Sequence, residues 1–306
     1  PAYRDPNRVA KVLARAGAAE RQLVDAAIAV HGVRFITDDP RKHHGAKHEP
    51  GASPTTVAWR EAMSGARGDL LLQTPYLVLS EEVSDWLLSM RSRPFKPQVV
   101  ISTNSLASSD VFLVYALTHK HKRRLSLVFD FHVYEYKPHA GEAMHATSLR
   151  GSRRGLHGKS FVADGRVAMI GSHNLDPRSD RYNIESWVRI DDPAFAALLS
   201  RSIRDDIAPE NSWVIGPRDP APVLPEFVRW VGKKAEYVPV FDLWPIRNAT
   251  RYEFVRSADC PSPPAPTDPM FRRCHVPVGD FTEVRLSVKA LTRLASAFGG
   301  VLVTVL

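Results

Sequence analysis

The sequence predicts an α/β fold, a mixed β-sheet flanked by helices on both faces, followed by an irregular C-terminal extension. Three observations predict it. From Asp69 onward, apolar runs of strand length alternate with segments whose apolar residues recur every three or four positions. Asp164-Gly165 lies between two apolar runs, a residue pair suited to closing a two-residue hairpin. Asp192-Pro193 opens an amphipathic segment with a capping side chain and a first-turn proline.

Taken in order, residues up to about Val33 read as a helix, since Val9, Val12, Leu13, Leu23, Val24, Ala27 and Ile28 repeat at helical spacing. Thr37 to Pro54, rich in Asp, His, Lys, Gly and Pro, reads as an exposed connection, so a boundary is placed at residue 54. Asp69 to Thr74 is a strand stopped by Pro75. Ser80 then caps a helix with Glu81 and Glu82 in its first turn and Val83, Trp86, Leu87 and Met90 on its inner face. Gln98 to Ser102 reads as a strand, Val111 to Lys122 as a helix, and Leu125 to Phe129 and His132 to Tyr136 as strands. Leu156 to Ala163 and Val167 to Gly171 are the hairpin arms, and Asn183 to Ile190 is one more strand. The helix from Pro193 turns Phe195, Leu198, Leu199 and Ile203 inward. Beyond Ala208 the periodicity weakens and prolines crowd Pro217 to Pro225 and Pro261 to Pro269. Near the end, Leu291, Leu294, Phe298 and Leu302 have helical spacing, which suits packing on the core or lying on a membrane surface. Trp59, Trp86 and Trp187 sit within apolar patterns and read as core.

Lysine and arginine outnumber aspartate and glutamate by 41 to 33 in 306 residues, a net charge of +8 that favours anionic partners without choosing among them. Cys260 and Cys274 form neither a disulfide framework nor a paired metal-ligand pattern and read as incidental, with a single bridge between them as the alternative. No run approaches the roughly 20 apolar residues needed to cross a bilayer.

The candidate chemistry lies between His157 and Glu185. In a strand, residues two apart share a face, so His157 and Lys159 project together. An ammonium can neutralise a non-bridging phosphate oxygen, and an imidazole, with an ordinary pKa of about 6.5, can attack phosphorus or move a proton at neutral pH. In Gly171-Ser172-His173-Asn174, the glycine permits close approach of a ligand, while Ser172 and Asn174 join Lys159 as phosphate-binding candidates. Glu185, on the next strand, can orient a histidine. His157, Lys159 and Glu185 are therefore the catalytic candidates. Asp164 and Gly171 read as structural members of the motif, the first because a hairpin turn favours aspartate. His173 and Arg178 are candidates for the pocket wall, and no metal ligands are evident.

His157-x-Lys159-x4-Asp164, followed after six residues by Gly171-Ser172-x-Asn174, resembles the HKD signature of the phospholipase D superfamily. Gln73-Thr74-Pro75-Tyr76, Tyr134-Glu135-Tyr136 and Asn174-Leu175-Asp176-x-Arg178-Ser179, with Asn183 and Glu185, are similar to its cardiolipin synthase branch. The resemblance covers about Val57 to Ile207 and implies a phospholipase D-like α/β sandwich. It also implies a metal-independent reaction without cofactor, in which one histidine becomes a phosphohistidine and a second protonates the leaving alcohol. By its place in the chain His157 is similar to the second, the general acid/base.

His157-Gly158-Lys159 is the sole His-x-Lys of the sequence; neither His43-His44-Gly45-Ala46-Lys47 nor His119-Lys120-His121 reproduces the motif. One histidine cannot serve as nucleophile and leaving-group acid in one step, so the expectation is a half-site. Pro1 to Asn7 has neither an initiator methionine nor a signal pattern and reads as a cut end. Either a preceding HKD half completes the site or a second copy of the chain does. The domains expected are 1–54, the remnant of a preceding half plus linker; 55–207, the HKD domain; and 208–306, an extension packed on it. The reaction implied is phosphatidyl transfer between phospholipids, giving cardiolipin, by a peripheral protein at the bacterial inner membrane surface. Hydrolysis by a phospholipase D or nuclease keeps the chemistry and changes the acceptor to water. The sequence has no stripe of stacking aromatics interleaved with basic residues, which argues against nucleic acid. A third alternative is an inactive membrane-binding or dimerising fragment.

Overall fold

The computed structural model of the protein describes residues 6–42, 53–123, 125–126, 129–140, 153–218, 249–281 and 283–297. They fall into two units, residues 1–31 and residues 32–306. The first holds helix α1, Pro6–Asp25, which ends well before Val33 and leaves Val9, Val12, Leu13, Leu23 and Val24 exposed.

The second unit is built on a ten-stranded mixed sheet: β1 Val33–Thr37, β2 Asp69–Gln73, β3 Gln98–Asn104, β4 His132–Tyr136, β5 Ser160–Ala163, β6 Val167–Gly171, β7 Ser186–Ile190, β8 Ser212–Pro217, β9 Ala249–Phe254 and β10 His275–Pro277. Their order is β1-β7-β6-β5-β2-β3-β4-β8-β9-β10, with β2, β3 and β4 parallel and every other pairing antiparallel. The parallel strands are joined by helical crossovers, as parallel pairing requires: α3, Glu81–Arg91, and α4, Phe112–Arg123. Helix α3 starts where Ser80 predicts, its hydroxyl accepting from the Val83 amide at 3.2 Å. An unpredicted helix α2, Pro54–Gly65, is capped in the same way by Ser53.

Leu70, Leu71 and Leu72 are all buried, so β2 is covered on both faces. Helices α2 and α3 bring Trp59, Met63, Val83, Leu87 and Met90 onto Leu70, Leu72, Ile101, Phe161, Met169 and Trp187. Helix α6, Pro193–Asp206, capped by Asp192 as expected, packs on β2, β5 and β6. Its buried residues are Ala196 and Ile203, whereas Leu198 faces out, one position round the helix from the expected stripe.

Four expectations are corrected. Leu125 and Ser126 have helical backbone and are not strand. The boundary at residue 54 does not hold: β1 pairs along its length with β7, and Asp38 and Lys42, placed by the sequence in an exposed connection, are 2% and 4% exposed. Residues 43–52 lie outside the described residues. The region after 208 is more regular than its prolines suggest, because β8 pairs with β4 and carries β9 and β10 with it. Cys260 and Cys274 are not incidental; both are buried and form a disulfide beside the short helix α7, Phe271–Cys274.

Helix α8, Leu286–Ala297, packs on α4 with the reverse of the expected face. Thr292 and Ser296 are buried, the Ser296 hydroxyl donating to the Ala116 carbonyl at 2.8 Å, while Leu291 and Leu294 are exposed. Phe298 and Leu302 lie outside the described residues. Among the described residues no helix is long and apolar enough to cross a membrane.

The hairpin between β5 and β6 turns through Asp164 and Gly165, at φ 50° and 60°. The Asp164 carboxylate accepts from the amides of Arg67, Gly68 and Asp69 at 3.0, 2.7 and 3.1 Å, pinning the hairpin to the loop before β2. Partial burial raises this carboxyl, but the three amide hydrogen bonds outweigh it and hold the group below the ordinary carboxylate range. A depressed folded-state pKa stabilises the fold above the unfolded value of about 3.9 and loses that contribution as pH falls through the folded value. Asp164→Asn is therefore expected to lower the urea midpoint at pH 7, and to lower it less, relative to wild type, at pH 3.

Candidate active site

The predicted site residues collect beyond the ends of β2, β6 and β7. The segment from Arg153 enters from the same side and becomes strand only at Ser160. His157 and Lys159 thus precede β5, and strand alternation does not relate them. They are joined instead through the Lys159 ammonium, which donates to the His157 carbonyl at 3.0 Å. Gly158 between them lies against the side chain of Gln73, where a Cβ would overlap Gln73 Oε1. Gln73 is held by its Nε2, which donates to Asp206 at the end of α6 at 2.5 Å. The bend at 157–159 is therefore shaped by a residue of β2.

The His157 side chain is exposed and meets the edge of the Tyr76 ring, centroid to centroid 6.4 Å. Tyr76 donates to Asp110 at 2.8 Å, and burial together with that carboxylate pushes its hydroxyl far up. Burial pushes the Lys159 ammonium down, against the pull of the Glu185, Asp110 and Asp176 carboxylates. Asp176 is itself pushed up by burial.

After β6 the chain turns at Gly171, whose amide donates to the Lys159 carbonyl at 3.0 Å and so ties the two motif halves together. A side chain here would overlap Ser186 and meet Trp187 Cε3 at 2.6 Å. Gly171→Ala is expected to cost about 1–3 kcal/mol, the usual penalty for overpacking, read as a lower urea midpoint. Ser172 is exposed and its hydroxyl donates to Glu185. Asn174 is buried; its amide donates to Ser179 Oγ at 3.1 Å, and its Oδ1 has no hydrogen-bond partner among the described residues. The loop is anchored to the end of β2 by the Val78 amide, which donates to the Leu175 carbonyl at 2.9 Å, and by Leu175, which donates to Thr74 Oγ1 at 3.4 Å.

Glu185 lies just before β7 and is 5% exposed. Its carboxylate accepts from Ser172, from Ser179 at 2.8 Å and from Asn183 at 3.2 Å. This corrects the expected role: among the described residues Glu185 holds two serines and an amide, and no hydrogen bond joins it to His157. Ser179 sits in α5, Pro177–Arg181, whose cap is Asp176.

His173 is not on a pocket wall. It is 1% exposed, between Trp59 and Trp187, with Nε2 at 3.2 Å from Thr56 Oγ1 and 3.4 Å from Asp180. Arg178 is exposed, its Nε donating to Asn183 at 3.3 Å. Gln73, Tyr76, Asp110 and Ser179 belong to the site but were not among the predicted site residues. The run Gln73-Thr74-Pro75-Tyr76 was the available signal for two of them and Asn174-Leu175-Asp176-x-Arg178-Ser179 for Ser179; Asp110 had none. Among the described residues no cluster of three His, Cys, Asp or Glu is arranged to hold a metal ion.

The sequence family described as cardiolipin synthase, PLD-like domain, matches residues 59–207. An uncharacterized protein of Helicobacter pylori is 28% identical over 182 residues, 58% of this chain and 34% of the relative. Cardiolipin synthase C of Escherichia coli is 31% identical over 171 residues, 55% of this chain and 35% of the relative. Cardiolipin synthase A of Proteus mirabilis is 33% identical over 147 residues, 48% and 26% respectively. The chain thus spans about a third or less of the length of these relatives. Residues 59–207 are thus a phospholipase D-like domain of the cardiolipin synthase family.

Proposed function

We propose that this domain supplies one half of a phosphatidyl-transfer site that makes cardiolipin from glycerophospholipids at a membrane surface, with His157 as general acid/base. The observation that carries the reading is an exposed imidazole whose backbone is bound by a partly buried lysine, beside a serine hydroxyl oriented by a buried carboxylate. In the first step a histidine from a second His-x-Lys half attacks phosphorus. The N–P bond forms, the bond from phosphorus to the leaving glycerol oxygen breaks, and His157 delivers its proton to that oxygen. In the second step His157 takes the proton of the acceptor hydroxyl, whose oxygen displaces the histidine from phosphorus. Lys159 and Ser172 meet the non-bridging oxygens. The second half comes from elsewhere in the same polypeptide or from a second copy of it. The net charge of +8 favours an anionic bilayer surface.

The test is product analysis with the full-length polypeptide and phosphatidylglycerol vesicles. Cardiolipin and free glycerol in equal amounts are expected. Phosphatidic acid in place of cardiolipin would replace transfer by hydrolysis, and vesicle binding with neither product would leave a binding module.

A further inference from the structure

Asp38 and Lys42 stand on the turn after β1, outside the matched residues 59–207, yet both are buried against the back of the site. Asp38 Oδ2 accepts from the Lys42 ammonium at 2.6 Å and from the Glu185 amide at 3.2 Å. Asp38 Oδ1 accepts from the amide and hydroxyl of Thr55 at 3.0 and 2.8 Å. The main chains close the same junction, since the Asp38 amide donates to the Glu185 carbonyl at 3.0 Å. Lys42 Nζ also donates to the Ser179 carbonyl at 2.6 Å. Ser179 in turn donates its hydroxyl to Glu185 and accepts from the Asn174 amide. The buried pair therefore grips Glu185 and Ser179 together, and these two hold Ser172 and Asn174.

A buried ion pair is weak evidence for stability, because desolvation offsets its attraction. Two apolar residues would fill the same space, whereas only directional hydrogen bonds fix both the Glu185 backbone and the Ser179 carbonyl in α5. We propose that Asp38 and Lys42 are positioning residues of the phosphodiester site, acting through Glu185 and Ser179 on the Ser172 hydroxyl and the Asn174 backbone. This rests on the reading of that site as phosphate-binding. Residues that orient groups in contact with a ligand typically change activity or affinity by about 10–100-fold when removed.

The experiment uses the full-length polypeptide carrying Asp38→Asn, Lys42→Met or Lys42→Arg, with Phe271→Leu as a control that loosens the core among β8, β9 and α7. Turnover on phosphatidylglycerol vesicles, affinity for inorganic phosphate by calorimetry, and the urea midpoint are measured for each. Asp38→Asn and Lys42→Met are expected to lower kcat about 10–100-fold with KM within about threefold. Phosphate affinity weakens in parallel, and Lys42→Arg, which retains the charge, recovers most of both. Phe271→Leu lowers the urea midpoint and leaves kcat and phosphate affinity near wild type. If Asp38→Asn and Lys42→Met behave like Phe271→Leu, positioning is overturned and the phosphatidyl-transfer reading survives. If wild type makes no product but its phosphate affinity falls in Asp38→Asn, the lipid reading fails and positioning stands. If wild type neither turns over lipid nor binds phosphate, both fall.

Discussion

His157→Asn in the full-length polypeptide is expected to lower turnover by about 10²–10⁴-fold, the usual contribution of a positioned proton-transfer group, while leaving the urea midpoint near wild type. The two halves of this expectation have separate causes. The side chain is exposed, and its nearest described aromatic neighbour, Tyr76, meets it only edge-on at 6.4 Å, so the fold draws little from it. The Lys159 ammonium binds the residue through its carbonyl, which the substitution keeps. What disappears is the group proposed to protonate the leaving alcohol. Lys159→Met is expected to reduce turnover as well, and the double variant to be little worse than His157→Asn alone, because groups acting as a unit are strongly non-additive. Retention of more than a tenth of wild-type turnover by His157→Asn, measured at matched folded protein, would remove the acid/base assignment.

The largest loss of stability is expected from Arg251→Met, about 3–5 kcal/mol, the cost of leaving a buried charge without its partner. Arg251 in β9 is fully buried. Its Nε donates to Glu135 of β4, Nη1 to Glu283 at 2.7 Å and Nη2 to Tyr115 of α4 at 3.2 Å, and its guanidinium lies 4.7 Å from the Trp213 ring centroid. One side chain thus ties two strands, a helix and the segment before α8. Its removal takes the cation from the Glu135 carboxylate, which is 0% exposed and keeps the Tyr115 hydroxyl as a donor at 3.1 Å. Against a typical total of about 5–15 kcal/mol, such a loss is a large fraction of all the stability available. Adding Glu135→Gln is expected to recover part of it, since the amide carries no charge to desolvate. The urea midpoint reads both effects; a single variant within about 0.5 kcal/mol of wild type would mean that the Arg251–Glu135 pair does not carry this stability.

Glu135 also marks where reading the sequence stops. Tyr134-Glu135-Tyr136 was legible as a strand and as part of a family resemblance, but not as half of a buried pair, because its partner lies 116 positions away on another strand. The same distance effect hid the role of Asp38, whose polar neighbours gave Thr37 to Pro54 the composition of a loop. Composition reports the average environment of a segment, and two buried charges within it are paid little attention by any such average. Cys260 and Cys274 were unreadable for a related reason: nothing in a spacing of 14 residues says whether two Cα atoms come to 5.5 Å.

What the sequence by itself determined is local. The alternation of period 2 with period 3.6 placed β2, α3, β3, α4, β4 and the β5–β6 hairpin. Ser80, Asp192 and Asp164-Gly165 placed their caps and turn, because each acts on amides within a few residues or through its own backbone angles. The motif His157-x-Lys159 with Ser172 and Asn174 was legible as well, since its spacing is carried on that hairpin. Only the tertiary structure decided that Glu185 serves Ser172 and Ser179 rather than His157. It likewise buried His173 between two tryptophans and drew Asp38 and Lys42 to the site from beyond the matched domain. Those outcomes depend on which strands become neighbours, and β1 meets β7 across about 150 residues of chain whose order in the sheet no local pattern encodes.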